Sequence, residues 1–207
     1  MSYLLEGVRA GLVLALLVGP LVVLLLQLSI RRGTVAALAA AFGIWLSDLS
    51  FILLTHYGIG SLANFSTDGS LALWVGSIGG VLLVGTAVYM WFRDPPDLTA
   101  ERDIVNHSGV LAGLLQGFAL NTFNPFTIAF WSFFTFSQVQ ERDLSGGEAW
   151  AIYAGILLTI VVTDTAKVFA ARKLRDWLRP SVLLKAQRFG ALVLGVFGLV
   201  LWVRIWW

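Results

Sequence analysis

The chain has 207 residues, 58% of them from the set Ala, Val, Ile, Leu, Met, Phe, Trp, Tyr and Cys and only 13% charged. A soluble domain carries about 25% charged residues, and nine Trp with fourteen Phe are the opposite of a disordered composition. The absence of cysteine excludes disulfide frameworks, thiolate zinc sites and cysteine nucleophiles, and a formal net charge of +2 is too small for a nucleic-acid binder, so the composition is that of an integral membrane protein.

A bilayer-crossing helix needs roughly 20 mostly apolar residues. Six windows satisfy that length, at about 4–28, 36–58, 71–92, 110–136, 149–170 and 189–207. Their runs are continuous, whereas a β-barrel alternates over segments of about ten residues. The first window opens Met1-Ser2-Tyr3 with Glu6 ahead of Arg9. That is not the basic leader of a cleaved signal peptide, so this helix is expected to remain in the mature chain. It carries the helix-breaking cluster Val18-Gly19-Pro20 and leads into the polar turn Ser29 to Gly33. The second window holds Asp48 about midway, and a polar break runs from Ser61 to Ser70. After the third window, Asp94-Pro95-Pro96-Asp97 ends a helix and forbids its restart. The fourth contains Asn121-Thr122-Phe123-Asn124-Pro125, a second breaker, and is followed by the break Gln138 to Gly147. The fifth holds Asp164 and Lys167. The stretch Arg172 to Arg188 mixes basic residues with Leu174, Trp177, Leu178, Leu183 and Leu184. It reads as a short interfacial helix with a rim for anionic membrane lipids, interrupted at Pro180. Trp202, Trp206 and Trp207 form an aromatic belt where the last helix exits.

Basic residues set the expected orientation. The loops after the first, third and fifth windows carry two, two and six Lys or Arg, against the single Arg142 in the other two. The positive-inside rule then places the odd loops in the cytoplasm and both termini outside, in a multi-pass inner or plasma membrane protein. No linker is long enough to separate a second domain, so residues 1–207 are expected to form one transmembrane bundle. Six helices divide into halves of about 1–92 and 109–207, and three helices per half invert the second half. The two breakers fall in the first helix of each half, and Asp48 and Asp164 in the second. Matching interruptions of this kind mark a transporter's midplane site.

An aspartate at the bilayer centre costs about 2.5–3.5 kcal/mol on insertion scales, so it needs a reason to be there. Asp48 has no cation nearby in the sequence and is suited to carry a proton or to receive a substrate ammonium. Asp164 lies three residues before Lys167, on one helix face, and the two can neutralise each other or share in proton coupling. Gln27, Gln116, Asn121, Asn124, Ser132 and Thr163 supply polar company, and His56 falls near an interface. Gly7/Gly11, Gly76/Gly80 and Gly113/Gly117 are small-xxx-small spacings expected at close helix crossings, with a homodimer allowed. No catalytic constellation, cofactor motif or metal-ligand spacing emerges. An acid dyad of Asp48 and Asp164 would lack a glycine-flanked motif, so an enzyme is not expected.

Leu17-Val18-Gly19-Pro20, the turn Ser29-Ile30-Arg31-Arg32-Gly33 and the segment Gly43 to Asp48 resemble the first half of the lysine exporter (LysE) superfamily. Gly117-Phe118-Ala119-Leu120-Asn121 running into Asn124-Pro125 and Phe130-Trp131 resembles its second half, and Arg188-Phe189-Gly190 with Gly195 and Gly198 its last segment. Phe126 stands where many members carry lysine, and a single Gly19-Pro20 replaces the frequent longer Gly-Pro run. The resemblance implies a six-helix secondary exporter of amino acids or related small solutes, commonly tied to proton or cation movement. On that reading Gly19, Pro20, Asn121, Asn124, Pro125 and Asp48 bind substrate, and Asp48, Asp164 and Lys167 couple protons. Two other classes stay open: an inorganic cation exporter, which the lack of cysteine and the two histidines argue against for soft metals, and a lipid-handling or structural bundle without transport.

Overall fold

A computed structural model describes residues 2–16, 19–63, 70–94, 109–174 and 180–206. Among them the backbone is helical and contains no strand: α1 (Ser2–Leu16), α2 (Pro20–Arg31), α3 (Thr34–Ala63), α4 (Ser70–Phe92), α5 (Val110–Thr122), α6 (Pro125–Thr135), α7 (Gly146–Leu174) and α8 (Pro180–Trp206). A single wide π turn, Phe136–Gln140, closes α6. The first and fourth apolar windows are thus each two helices. Pro20 and Pro125 occupy the first position of α2 and α6. There a missing N–H costs nothing, while the ring forbids continuation from the preceding helix. The axes of α1 and α2 are bent by 69°.

Thr34–Gly58, Gly146–Ala171 and Ser181–Val200 are each long and apolar enough to cross a bilayer, and α1 with α2 makes a fourth span if the bent pair counts as one. Ser77–Phe92 and Val110–Thr122 are apolar but shorter. Polarity is distributed inside out. Leu54, Trp74, Leu111, Phe123, Val162 and Leu199 are exposed, whereas Gln27, Ser29, Ser47, Asp48, Thr55, Asn121, Thr135 and Asp164 are buried. Water would penalise that surface and lipid would not.

Helices cross where side chains are missing. A Cβ on Gly7 would strike the Ile152 carbonyl, and one on Gly155 the Leu4 carbonyl, so α1 lies directly on α7. Likewise a Cβ on Gly117 would strike the Ala40 carbonyl and one on Gly43 the Leu114 carbonyl, which seats α5 on α3. Backbones that approach this closely gain dispersion contacts that lipid cannot supply. The third close pair is α4 with α8, where Gly198 meets Leu83, Val84 and the Gly80 carbonyl. Buried polar groups tie the remaining elements. Ser29 donates to the Val168 carbonyl at 2.7 Å. Gln187 donates to the Met90 and Arg93 carbonyls at 2.6 and 2.9 Å, satisfying carbonyls that the end of α4 leaves without a partner.

One expectation is overturned. Pro180 is the first residue of α8, which runs unbroken to Trp206. Proline at a first helical position starts a helix, so residues 180–188 are the opening turns of the last helix and not part of a separate interfacial one. Leu183 confirms it by being buried with Leu26 and Ala171 between α2 and α7. Trp202 is exposed, as a belt residue should be. Val18, Arg102, Arg175, Arg179, Trp207 and much of the turns Ser61 to Ser70 and Arg93 to Ser108 lie outside the described residues.

Candidate functional site

The two helix breaks have different chemistry. Gly19 caps α2 in an extended conformation with no side-chain bond, and the first intrahelical bond runs from Val23 N–H to the Gly19 carbonyl at 3.2 Å. Within α2 the N–H groups of Leu21 and Val22 have no carbonyl to bond, and they carry the positive end of the helix dipole. Asn124 caps α6 with its own side chain, whose Oδ1 accepts from Phe126 N–H at 3.1 Å. That N-terminus is partly closed by the protein itself.

Both N-termini open into one cavity of about 940 Å³, whose wall also contains Asp48, Asp164 and Lys167. Gln27, Gln116, Asn124 and Thr163 line it too; Ser132 does not. The rest of the wall is largely apolar, with Leu21, Leu82, Met90, Phe126, Phe130 and Leu194 prominent. The cavity extends from the level of the breaks along α2, the second half of α4, Lys167 of α7 and Gln187 of α8. It thus reaches the end of the bundle where the basic odd loops lie. Phe130 and Trp131 border the cavity on its other side, and beyond them the opposite end is filled by rings: Phe134 and Tyr153 are buried with them and Trp150 packs against the group.

Asp48 is 6% exposed, and its two oxygens differ. Oδ1 accepts from Asn121 Nδ2 and from Trp131 Nε1, each at 2.9 Å. Oδ2 takes part in neither bond, and the Asp48 side chain lines the cavity. Asn121, read from the sequence as a substrate ligand, is 1% exposed. Its Nδ2 donates to the Ile44 carbonyl at 3.1 Å as well as to Asp48, and its Oδ1 accepts from Thr127 at 2.8 Å. Three of its four hydrogen-bonding positions are engaged by protein, which makes it a support for Asp48. Asp164 is paired as its spacing predicts, with Oδ1 accepting from Lys167 Nζ at 3.0 Å, and Oδ2 accepts from Trp45 Nε1 at 3.3 Å.

In the sequence Trp131 and Trp45 stand only within segments resembling the family, and neither reads there as a site residue. A tryptophan N–H in an apolar run needs an acceptor, and the two buried carboxylates are the acceptors, but they come from other helices. His56 belongs to the ring-filled end. Its Nδ1 lies 3.4 Å from Tyr153 Oη, and its ring is 5.9 Å from that of Trp150. Tyr153 donates to Thr135 Oγ1 at 3.2 Å, and Thr135 meets Thr55 at 2.9 Å. Among the described residues no three His, Cys, Asp or Glu gather as metal ligands.

Against known families, the model of the LysE type translocators matches residues 12–204. No curated protein and no solved structure matches the chain. The matched span includes both breaks, the buried acids and the cavity that they share. The chain belongs to the LysE type translocator family, and it is a multi-pass membrane protein that moves small solutes.

Proposed function

We propose that the protein exports amino acids by alternating access, with Asp48 coupling the movement to protons. The observation that carries this reading is the meeting of unlike groups in one cavity. The open N-terminus of α2 favours an anion, and Asp48 Oδ2 favours a cation or a proton. Between them they suit the two ends of a zwitterion, with the carboxylate at the N–H groups of Leu21 and Val22 and the ammonium at Asp48. After release of the ammonium on the far side, a proton on Oδ2 neutralises the carboxyl for the return step. Asp164 and Lys167 keep the wall nearer the mouth electrically balanced and can pass a proton toward Asp48. Asn124 and Pro125 hold the second N-terminus against the same space, and Asn121 holds Asp48 in place.

The movement itself is read as a rocking of two inverted three-helix halves. Support comes from the helix pairing, in which the broken helix of each half lies on the second helix of the other, α1 on α7 and α5 on α3, while the third helices, α4 and α8, lie together. Exchanged crossings of this kind are what a pseudo-two-fold axis in the membrane plane generates. With the basic loops in the cytoplasm, the cavity faces the cytoplasm and the rings close the outside, which is the loading state of an exporter.

The apolar wall points to cargo with an apolar side chain. Burying a Leu-sized side chain is worth roughly 1.5–3 kcal/mol, whereas a cationic or acidic side chain there would need a second partner, and Asp164 and Lys167 already neutralise each other. Counterflow in proteoliposomes loaded with labelled leucine, methionine, phenylalanine, lysine or glutamate tests this. The first three are expected to exchange at least about tenfold better than the charged pair, the ratio that 1.4 kcal/mol provides. Preference for lysine or glutamate would overturn the cargo class, and exchange of none would overturn the exporter reading.

A further inference from the structure

Helix α6 is a separate piece with a joint at each end. It begins at the Asn124–Pro125 break and ends in the π turn Phe136–Gln140, and such interruptions are where helices bend. Between the joints three side chains fasten it. Thr127 donates to Asn121 Oδ1 at 2.8 Å, Trp131 donates to Asp48 Oδ1 at 2.9 Å, and Thr135 bonds Thr55 and Tyr153 at 2.9 and 3.2 Å. The first two converge on one atom, because Asn121 donates in turn to the same Asp48 Oδ1 at 2.9 Å. Trp131 is 1% exposed, and its ring stands edge-on to Phe134 and Tyr153 with centroids 6.4 Å from each. Phe134 and Tyr153 belong to the rings that fill the end of the bundle beyond the cavity.

We propose that Trp131 is the positioning residue through which occupancy of Asp48 governs the closed end, Oδ1 clamping α6 while Oδ2 takes the cargo ammonium. The proposal rests on the reading of the cavity as the cargo site. A hydrogen bond to a carboxylate is roughly twice as strong as one to a neutral acceptor, so loading Oδ2 with positive charge weakens both bonds that meet at Oδ1. Released at its middle, α6 turns about its two joints, draws Trp131 out of the ring stack and strains the Thr135 bonds that shut the far end. The empty protein stays closed there because the unloaded carboxylate holds the clamp. Among the described residues the other ionisable groups of the wall are Asp164 and Lys167 on α7, Tyr89 on α4 and Arg93 just past its end; α1, α2, α5, α6 and α8 place none there. Asp164 accepts from Lys167 and from Trp45, and Arg93 stacks on Tyr89, so these bonds tie none of the four to α6.

The test uses the absence of cysteine from the chain. Val139→Cys places a single thiol in the ring-filled end, where Val139 is buried beside Ile152 and Tyr153. The readout is the rate at which a water-soluble maleimide labels it in the full-length protein in liposomes, which requires no cargo. Asp48→Asn and Trp131→Phe are each expected to raise that rate about tenfold, the worth of one hydrogen bond to a charged group. Because one removes the charge that strengthens this bond and the other removes its donor, the double variant is expected to match Trp131→Phe alone. An unchanged rate in Trp131→Phe, or effects that multiply as for two independent packing defects, would overturn the proposal. Thr135→Val, nearly isosteric, loosens α6 at its other end and is expected to raise labelling likewise, even where Trp131→Phe is too unstable to purify. An unchanged rate there would overturn α6 as the moving part. Failure of the unsubstituted protein to bind any amino acid would instead overturn the cargo reading, and the labelling rates would still decide the clamp.

Discussion

Asn121 shows how a residue can be central to a site without touching its ligand. Its three protein bonds join α3, α5 and α6 at the carboxylate that matters most. Asn121→Leu keeps the volume but removes one of the two donors to buried Asp48 Oδ1 and the acceptor of the buried Thr127 hydroxyl, while the Ile44 carbonyl keeps its bond within α3. Each buried orphan costs about 1–3 kcal/mol, so thermal unfolding in detergent should show a clearly lowered midpoint along with loss of transport. An unchanged midpoint would contradict its role as a support. Asp48 itself was legible in the sequence, because a charge in an apolar run is a one-dimensional signal. Its partners were not. Asn121 and Trp131 lie 73 and 83 residues away, and only the fold brings them to one oxygen.

At the scale of elements, the proline breaks at Gly19-Pro20 and Asn124-Pro125 were legible for the same reason, since proline's geometry acts on its immediate neighbours. Pro180 misled because the same residue that breaks a helix also begins one, and its basic, leucine-rich surroundings suit an interface as well as a helix end. What decides is burial of Leu183 against α2 and α7, a long-range fact. The glycine crossings make a sharp prediction. Gly117→Val forces α5 away from the Ala40 carbonyl and should cost about 1–3 kcal/mol or more, as overpacking does, with reduced yield of folded protein. Gly19→Ala meets nothing within 4 Å, and its φ of −115° is open to any residue. It should purify and melt like the unsubstituted chain. Thermal unfolding of the pair checks both, and equal midpoints would contradict the crossing geometry.

Over the whole molecule, composition identified the solvent and the count of basic residues predicted the orientation, because both are sums that need no contacts. The cavity needed the fold, as its wall is drawn from seven helices (α2 to α8) and from Leu14 and Ala15 of α1. The orientation is tested by single cysteines in the two kinds of loop. Arg142→Cys should react with an impermeant maleimide on intact cells and Arg32→Cys only after permeabilisation. The reverse pattern would turn the cavity outward and contradict an exporter poised for loading.

The central claim is that one carboxyl, Asp48, carries the coupling. Efflux of labelled leucine from proteoliposomes, with and without an imposed proton gradient, measures it most directly when Asp48→Asn is compared with the unsubstituted protein. The account predicts that proton-driven efflux falls by about a hundredfold, the scale on which a positioned proton carrier acts, and that the gradient ceases to matter. Undiminished, gradient-dependent efflux by Asp48→Asn would contradict it.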